Sequence, residues 1–331
     1  MAMLICGLLL SNSFAGLISA GILSGMSGVG SLSAWRWLFI LEGIATVIVG
    51  TIAFFVLPDY PSTTKWLSEE EKIVAECRLA ADAGSEEVLS EGEGQVSIRT
   101  GLAWAFKDYR VWLFACLQMA TTASISFSHF FPTLIKGLGF ESNTIVLLLT
   151  SPPYLFAFIW ALSFAWDADK RQKRSPQATI SAITAIVATV VTIALSNQQW
   201  ARYAMTFFIC SGTFGIYSTT YTWLSSTIVR PPVKRAAAIG IANTLANTAS
   251  LFANYFWLDK YEPHFRQSWA CILAFQVLGL TCILTLRYLL KRSNSEFDKL
   301  AERIDAHDEA AIRELDEVSQ RAVVNGFRYV V

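Results

Sequence analysis

Long apolar runs separated by charged linkers dominate the chain. Residues 1–35, 111–135, 142–166, 175–201, 203–229, 236–258 and 267–286 contain no Asp, Glu, Lys or Arg. A helix crossing a bilayer needs roughly 20 predominantly apolar residues, so seven stretches meet that length outright. An eighth, 37–57, meets it if Glu42 is accommodated within it. Lipid supplies no hydrogen-bond partners, so each span must close its backbone bonds internally. A barrel would show alternating segments of about ten residues, whereas these runs are longer and uniformly apolar. The pattern predicts an all-α membrane protein with about eight transmembrane helices, at 3–23, 34–57, 111–135, 144–166, 177–197, 203–227, 236–258 and 268–290. Residues 1–22 lack a basic leading region, the first cation being Arg36, so they read as a retained helix rather than a signal peptide.

Polar positions inside the spans carry the functional information, because they are expensive there. Asn243, Asn247, Ser250 and Asn254 recur at spacings that place them on one helical face. Gln118, Thr122, Ser126 and His129 form a second stripe, and Thr213, Tyr217, Thr220 and Tyr221 a third. Converging, the three would line a polar cavity able to hold a small ligand. The same groups can equally serve as interhelical hydrogen bonds. His129 reads as a packed or interfacial histidine or as a proton-titrating one. Glu42, the one acid within a span, reads as a proton site or as a structural partner to another helix. Pro152-Pro153 is expected to distort its helix.

Charge orients the bundle. The linkers 58–110, 167–174 and 230–235, with the C-terminal end from Arg287, hold 21 of the 26 Lys and Arg, and the opposite side holds 5. The positive-inside rule places the first set in the cytoplasm, and with eight spans the N-terminus joins it. Within 58–110, Ser68 and Glu71 read as a capping box opening an amphipathic helix over 69–81. Residues 83–97 read as an acidic linker, and 295–322 as a polar helix. The a priori domain division is 1–57, a two-helix unit; 58–110, a central cytoplasmic loop; 111–290, a six-helix bundle; and 291–331, a cytoplasmic tail.

Composition excludes several classes. Hydrophobic residues make up 53% and charged residues 16%, against about 25% charged in a soluble domain. Net charge is zero, which gives no basis for nucleic-acid binding. The six cysteines lack metal-ligand spacing and read as small packing residues. No nucleophile–base pair, phosphate loop or metal cluster is evident, so neither an enzyme nor a cofactor is expected.

Several segments resemble the major facilitator superfamily, and within it fungal anion:cation symporters of the allantoate permease type. Trp35-Arg36-Trp37-Leu38-Phe39-Ile40-Leu41-Glu42-Gly43 is similar to the signature opening that family's sixth helix, followed by Leu57-Pro58-Asp59-Tyr60-Pro61 and Trp66-Leu67-Ser68-Glu69-Glu70-Glu71. Ala165-Trp166-Asp167-Ala168-Asp169-Lys170-Arg171-Gln172-Lys173-Arg174 resembles the superfamily's acidic–basic loop motif between helices eight and nine, with Ala165 and Gln172 where glycines are usual. Ser151-Pro152-Pro153-Tyr154 and the ending Asn325-Gly326-Phe327-Arg328-Tyr329-Val330-Val331 are also similar. The resemblance implies a partial major facilitator fold equivalent to helices 5–12, with the first four helices absent. A truncated gene model, a pseudogene product and a shortened isoform would each account for that. It also implies proton-coupled transport of small carboxylates, of allantoate, nicotinate or pantothenate type, by alternating access in the plasma membrane. Asp169, Lys170, Lys173 and Arg174 would gate the cytoplasmic side. The expected partners are an anionic substrate, protons and the lipid bilayer. The rival reading is a non-transporting membrane paralogue that binds a ligand or a partner.

Overall fold

A computed structural model describes residues 2–57, 60–64, 66–77, 97–140, 142–195, 198–228, 231–261, 264–305 and 329–330. Eleven helices are described: α1 (Ala2–Gly25), α2 (Ala34–Val56), α3 (69–77), α4 (Ile98–Lys107), α5 (Tyr109–Ile125), α6 (Phe131–Lys136), α7 (Asn143–Arg171), α8 (Ser175–Ala194), α9 (Gln199–Thr227), α10 (Pro232–Ala253) and α11 (Arg266–Asp305). The expected acidic linker over 83–97 and the far end of the polar helix, beyond Asp305, lie almost wholly outside the described residues.

The chain forms two compact units, residues 1–20 with 98–331, and residues 21–97. In the larger unit α9 packs against α5, α7, α8 and α10, and α11 packs against α5 and α8. Two apolar cores result. One gathers Phe127, Phe131, Tyr154, Ile209, Phe214, Trp257 and Trp269. The other gathers Phe114, Leu117, Ile216, Trp223, Leu224, Ile283 and Leu286 around small Ala178, Ala182, Ala238 and Ala242. Small residues let these backbones approach closely, as they must where lipid offers no hydrophobic drive between helices. Helices α8 and α9 approach closely, and a methyl group added at Gly212 would stand 2.5 Å from the Ser181 carbonyl oxygen.

The observed helices modify the expected spans in three places. The span over 111–135 is not one α-helix: it narrows to a 3₁₀ segment, Ser126–Phe130, and resumes as α6. Pro132 accounts for the break, since it has no N–H to offer the Ser128 carbonyl four residues back and its ring crowds that carbonyl, whereas proline is well tolerated in the first turn of a new helix. The span holding Pro152 and Pro153 is one continuous helix from Asn143 to Arg171 that runs through both prolines. Proline at 153 leaves the Leu149 carbonyl without its intrahelical donor, and the Tyr203 hydroxyl of α9 donates to it at 3.0 Å. A neighbouring helix thus re-satisfies a carbonyl freed by proline, and close by the Ser13 hydroxyl of α1 donates to the Ser151 carbonyl at 3.1 Å. Finally, α11 continues fifteen residues past the expected end at 290.

Seven described helical spans are long and apolar enough to cross a membrane, where eight were expected. The difference is α9. It is 29 residues long, yet its many Ser, Thr and Tyr residues lower its hydropathy, and it contributes more buried residues than any other described helix. A helix surrounded by protein faces less lipid, so it can carry more polar groups than its neighbours.

In the smaller unit, α1 passes to α2 through Gly28 (φ 85°) and Gly30 (φ 60°). The Trp37 indole closes this turn by donating to the Val29 carbonyl at 2.9 Å. Of α2, only Ala34 is buried. The expected capping box is present: the Glu71 amide donates to Ser68 Oγ at 3.3 Å and the Ser68 amide donates to Glu71 Oε2 at 3.0 Å.

Candidate functional site

Three of the predicted polar stripes meet where α5, α9 and α10 pack together. The Tyr221 hydroxyl on α9 donates to Asn243 Oδ1 on α10 at 3.0 Å. Asn247 Nδ2, one turn along α10, donates to the same oxygen at 3.0 Å and to the Asn243 carbonyl at 2.9 Å. The Tyr217 ring stands edge-on to Tyr221 with centroids 5.3 Å apart. Gln118 of α5 is buried within reach of the Tyr221 hydroxyl, yet neither of its amide atoms makes a hydrogen bond of normal distance and angle. Thr122, one turn further along α5, also keeps an unpartnered hydroxyl. Asn243 and Asn247 are exposed, so the cluster opens on one side of α10.

Not every predicted residue joins this cluster. His129 is exposed in the 3₁₀ segment and takes no part in the cluster's hydrogen bonds. Ser126, in the same stripe, accepts from the Trp257 indole at 3.1 Å and so serves packing. Glu42 is exposed on α2 in the other unit. Other described residues of the larger unit also carry buried polar atoms without partners, among them Thr213 on α9 and Gln276 on α11. Gln276 belongs to no stripe, so periodicity passes over it. The signal for it is the amide itself, standing in an otherwise apolar span.

Buried amides without partners are costly in an apolar interior. Natural proteins retain such groups where a ligand or water completes them. The Gln118–Tyr221–Asn243–Asn247 cluster therefore has the chemistry of a small polar binding site.

At one end of the bundle lies a second set of groups. Around the turn from α7 to α8, Arg171 Nε donates to Asp167 Oδ1 at 2.6 Å and Gln177 Nε2 to Asp167 Oδ2 at 2.7 Å. Asp169 faces Arg174 at 3.6 Å, and the Lys170 ammonium lies 5.3 Å above the Trp166 ring. Lys173 supplies its backbone amide to the Ala168 carbonyl, which closes the end of α7. Asp169 and Arg174 also border a small cleft with Ser218, Thr219 and Thr222 of α9. Of the four residues expected to gate, only Asp169 and Arg174 face each other as charges, while Asp167, Arg171 and Gln177 form a separate set beside them.

Asp108 anchors the start of α5. It accepts from its own Arg110 through both oxygens at 2.9 Å, and from Lys234 of α10 at 2.7 Å. Burial pushes the Asp108 carboxyl up, but the hydrogen bonds from Arg110 and Lys234 outweigh it and hold the pKa at about 2. Arg110 also donates to the Tyr329 hydroxyl and stacks over that ring. Tyr329 is tied to α11 by a two-point backbone contact with Asn294, at 2.9 and 2.8 Å. The next carbonyl, Val330, accepts from Trp223 of α9 at 2.9 Å. A two-residue segment thereby links α5, α9 and α11.

Comparison with known proteins bears on the family of the fold. A profile of the Major Facilitator Superfamily matches residues 1–254. An uncharacterized transporter of Schizosaccharomyces pombe is 28% identical over 88% of this chain and 56% of its own length. The major facilitator-type transporter hxnP of Emericella nidulans is 27% identical over 82% of this chain and 55% of its own. A putative metabolite transport protein, NicT, of Pseudomonas putida is 30% identical over 52% of this chain and 38% of its own. The chain spans about half the length of the curated relatives it matches. With this match and seven described membrane-length apolar spans, the chain is an integral, multi-pass membrane protein that belongs to the Major Facilitator Superfamily.

Proposed function

We propose that the cluster around Asn243 lines the path of a small organic anion in a proton-coupled secondary transporter of the allantoate permease type. One observation carries the reading. A buried, unpartnered Gln118 adjoins a hydrogen-bonded Tyr221–Asn243–Asn247 group that opens from an otherwise apolar bundle. Neutral amide and hydroxyl donors can hold a carboxylate, and a transported ligand must be bound weakly enough to leave. The relatives named as transporters support the transport class. The anionic substrate, of allantoate, nicotinate or pantothenate type, and the proton extend it on the strength of the sequence motifs. In this reading Glu42 accepts the coupled proton, and His129 lies on the substrate path. The Asp167–Arg171 and Asp169–Arg174 pairs hold the cytoplasmic gate of a plasma-membrane protein. Residues 111–290 form the complete half-bundle of the fold.

The test is uptake of labelled nicotinate, allantoate and pantothenate into liposomes containing the chain, under an inwardly directed proton gradient. Uptake of at least one, abolished by a protonophore and lowered about tenfold or more by Asn243→Ala, is the expected result; tenfold corresponds to about 1.4 kcal/mol of lost stabilisation. Binding of a carboxylate without uptake would favour the non-transporting reading. Neither binding nor uptake would overturn the assignment of the cluster.

A further inference from the structure

At the end of the bundle opposite the α7–α8 loop, α6, α8, α9 and α11 enclose a small cavity. Leu134, Ile135, Leu138, Thr192, Arg202, Thr206 and Trp269 line it, and its volume is about 10 Å³, the lower limit for a single water, so a chloride, which is larger, requires the lining side chains to give slightly. Arg202 is only 5% exposed and Trp269 only 3%. Arg202 Nη2 donates to the His264 carbonyl at 3.1 Å, and Nη1 lies 3.5 Å from His264 Nδ1. Its Nε–H has no partner, and neither does the Trp269 indole N–H. Among the described residues no carboxylate forms an ion pair with Arg202; the described ion pairs all lie elsewhere. The Thr192 and Thr206 hydroxyls each donate to a carbonyl of their own helix, Ala188 at 2.8 Å and Tyr203 at 2.6 Å.

We propose that this cavity binds one chloride ion, held by the Arg202 Nε–H and the Trp269 Nε1–H. A guanidinium is never deprotonated in a protein, so Arg202 stays charged when buried. A buried charge requires a counter-charge or a full set of polar partners. The two free groups are donors only, which calls for an acceptor between them. An anion answers both demands at once. A water molecule would accept both bonds but leave the positive charge uncompensated, and the space is too small for a carboxylate. This site is independent of the transport reading, since it uses none of the cluster on α5 and α10.

The test uses the full chain purified in detergent, with its melting temperature measured in sodium chloride and in sodium gluconate at equal ionic strength. The expected result is a saturable rise of a few degrees with chloride, reproduced by bromide, and lost in Arg202→Gln. Trp269→Phe keeps the ring and removes one donor, so it should raise the half-saturating chloride concentration about tenfold. That variant decides the matter should Arg202→Gln fail to fold. Equal melting temperatures in the two salts would overturn the proposal in favour of a bound water, and a chloride effect that survives Arg202→Gln, or an unchanged midpoint in Trp269→Phe, would overturn it in favour of chloride bound elsewhere.

Discussion

At the scale of single residues, the consequence of a polar group depends on what completes it. Asp108 shows the case with partners present. Its side chain is 6% exposed and serves both Arg110 and Lys234. Asp108→Asn would leave two half-buried cations without their acceptor. We expect a loss of about 2–4 kcal/mol, toward the low side of the range for a broken buried pair because both cations keep some exposure. The sign with pH follows from the lowered pKa. The contribution is complete above the unfolded value of about 3.9 and drains away as pH falls through about 2. Melting curves of wild type and Asp108→Asn should therefore converge toward pH 2 and separate fully above pH 4. Tyr221→Phe tests the opposite case, a bond on the edge of an open cluster. It should cost less than about 1 kcal/mol of stability, in line with interhelical bonds in membranes, while changing substrate affinity more than it changes melting. Sequence reading found Tyr221, Asn243 and Gln118 because each stands in a stripe. Gln276 and Arg202 were passed over because what matters about them is a missing neighbour, which only the packing discloses.

At the scale of elements, apolar run length locates helices well and says little about how they are joined. Expected span ends for α1, α2, α8 and α9 fall within a few residues of the observed ones. Its failures have physical causes: Pro132 breaks one span, Tyr203 repairs another, and α11 continues into polar sequence where lipid no longer sets the limit. The short α4, in a linker expected to be irregular there, is held by packing, with Gly101 directly against Val233 of α10. The α8–α9 contact offers a sharp test. Gly212→Ala would drive a methyl into the Ser181 carbonyl and the Ala185 backbone, and should destabilise by about 1–3 kcal/mol. Gly240 of α10 has open space around its α-carbon, so Gly240→Ala should be neutral or gain up to about 1 kcal/mol. A melting comparison of the two alanine variants checks both.

At the scale of the molecule, two features set expectations. Removal of 329–331 deletes the contacts to Arg110, Asn294 and Trp223. We expect a lower melting temperature together with faster proteolysis at the α5 and α11 ends, and a milder effect from Tyr329→Phe, which keeps the backbone contacts. The distribution of Lys and Arg makes a topological prediction. Native Cys77, which is exposed, and a cysteine placed at Lys173 should react with an impermeant maleimide from one side of the membrane, and a cysteine placed at Lys260 from the other. Labelling of all three from the same side would refute the assigned orientation.

The polarity of α9 bears on how the protein is made. A nascent segment rich in Thr, Ser and Tyr partitions poorly from the translocon into lipid, since each polar side chain adds an unfavourable term to insertion. Its neighbour α8 is strongly apolar and packs along it. During biogenesis α9 should therefore leave the translocon as a hairpin with α8 rather than alone. Glycosylation-site mapping of α9 by itself and of the α8–α9 pair would show this as poor insertion in the first case and efficient insertion in the second.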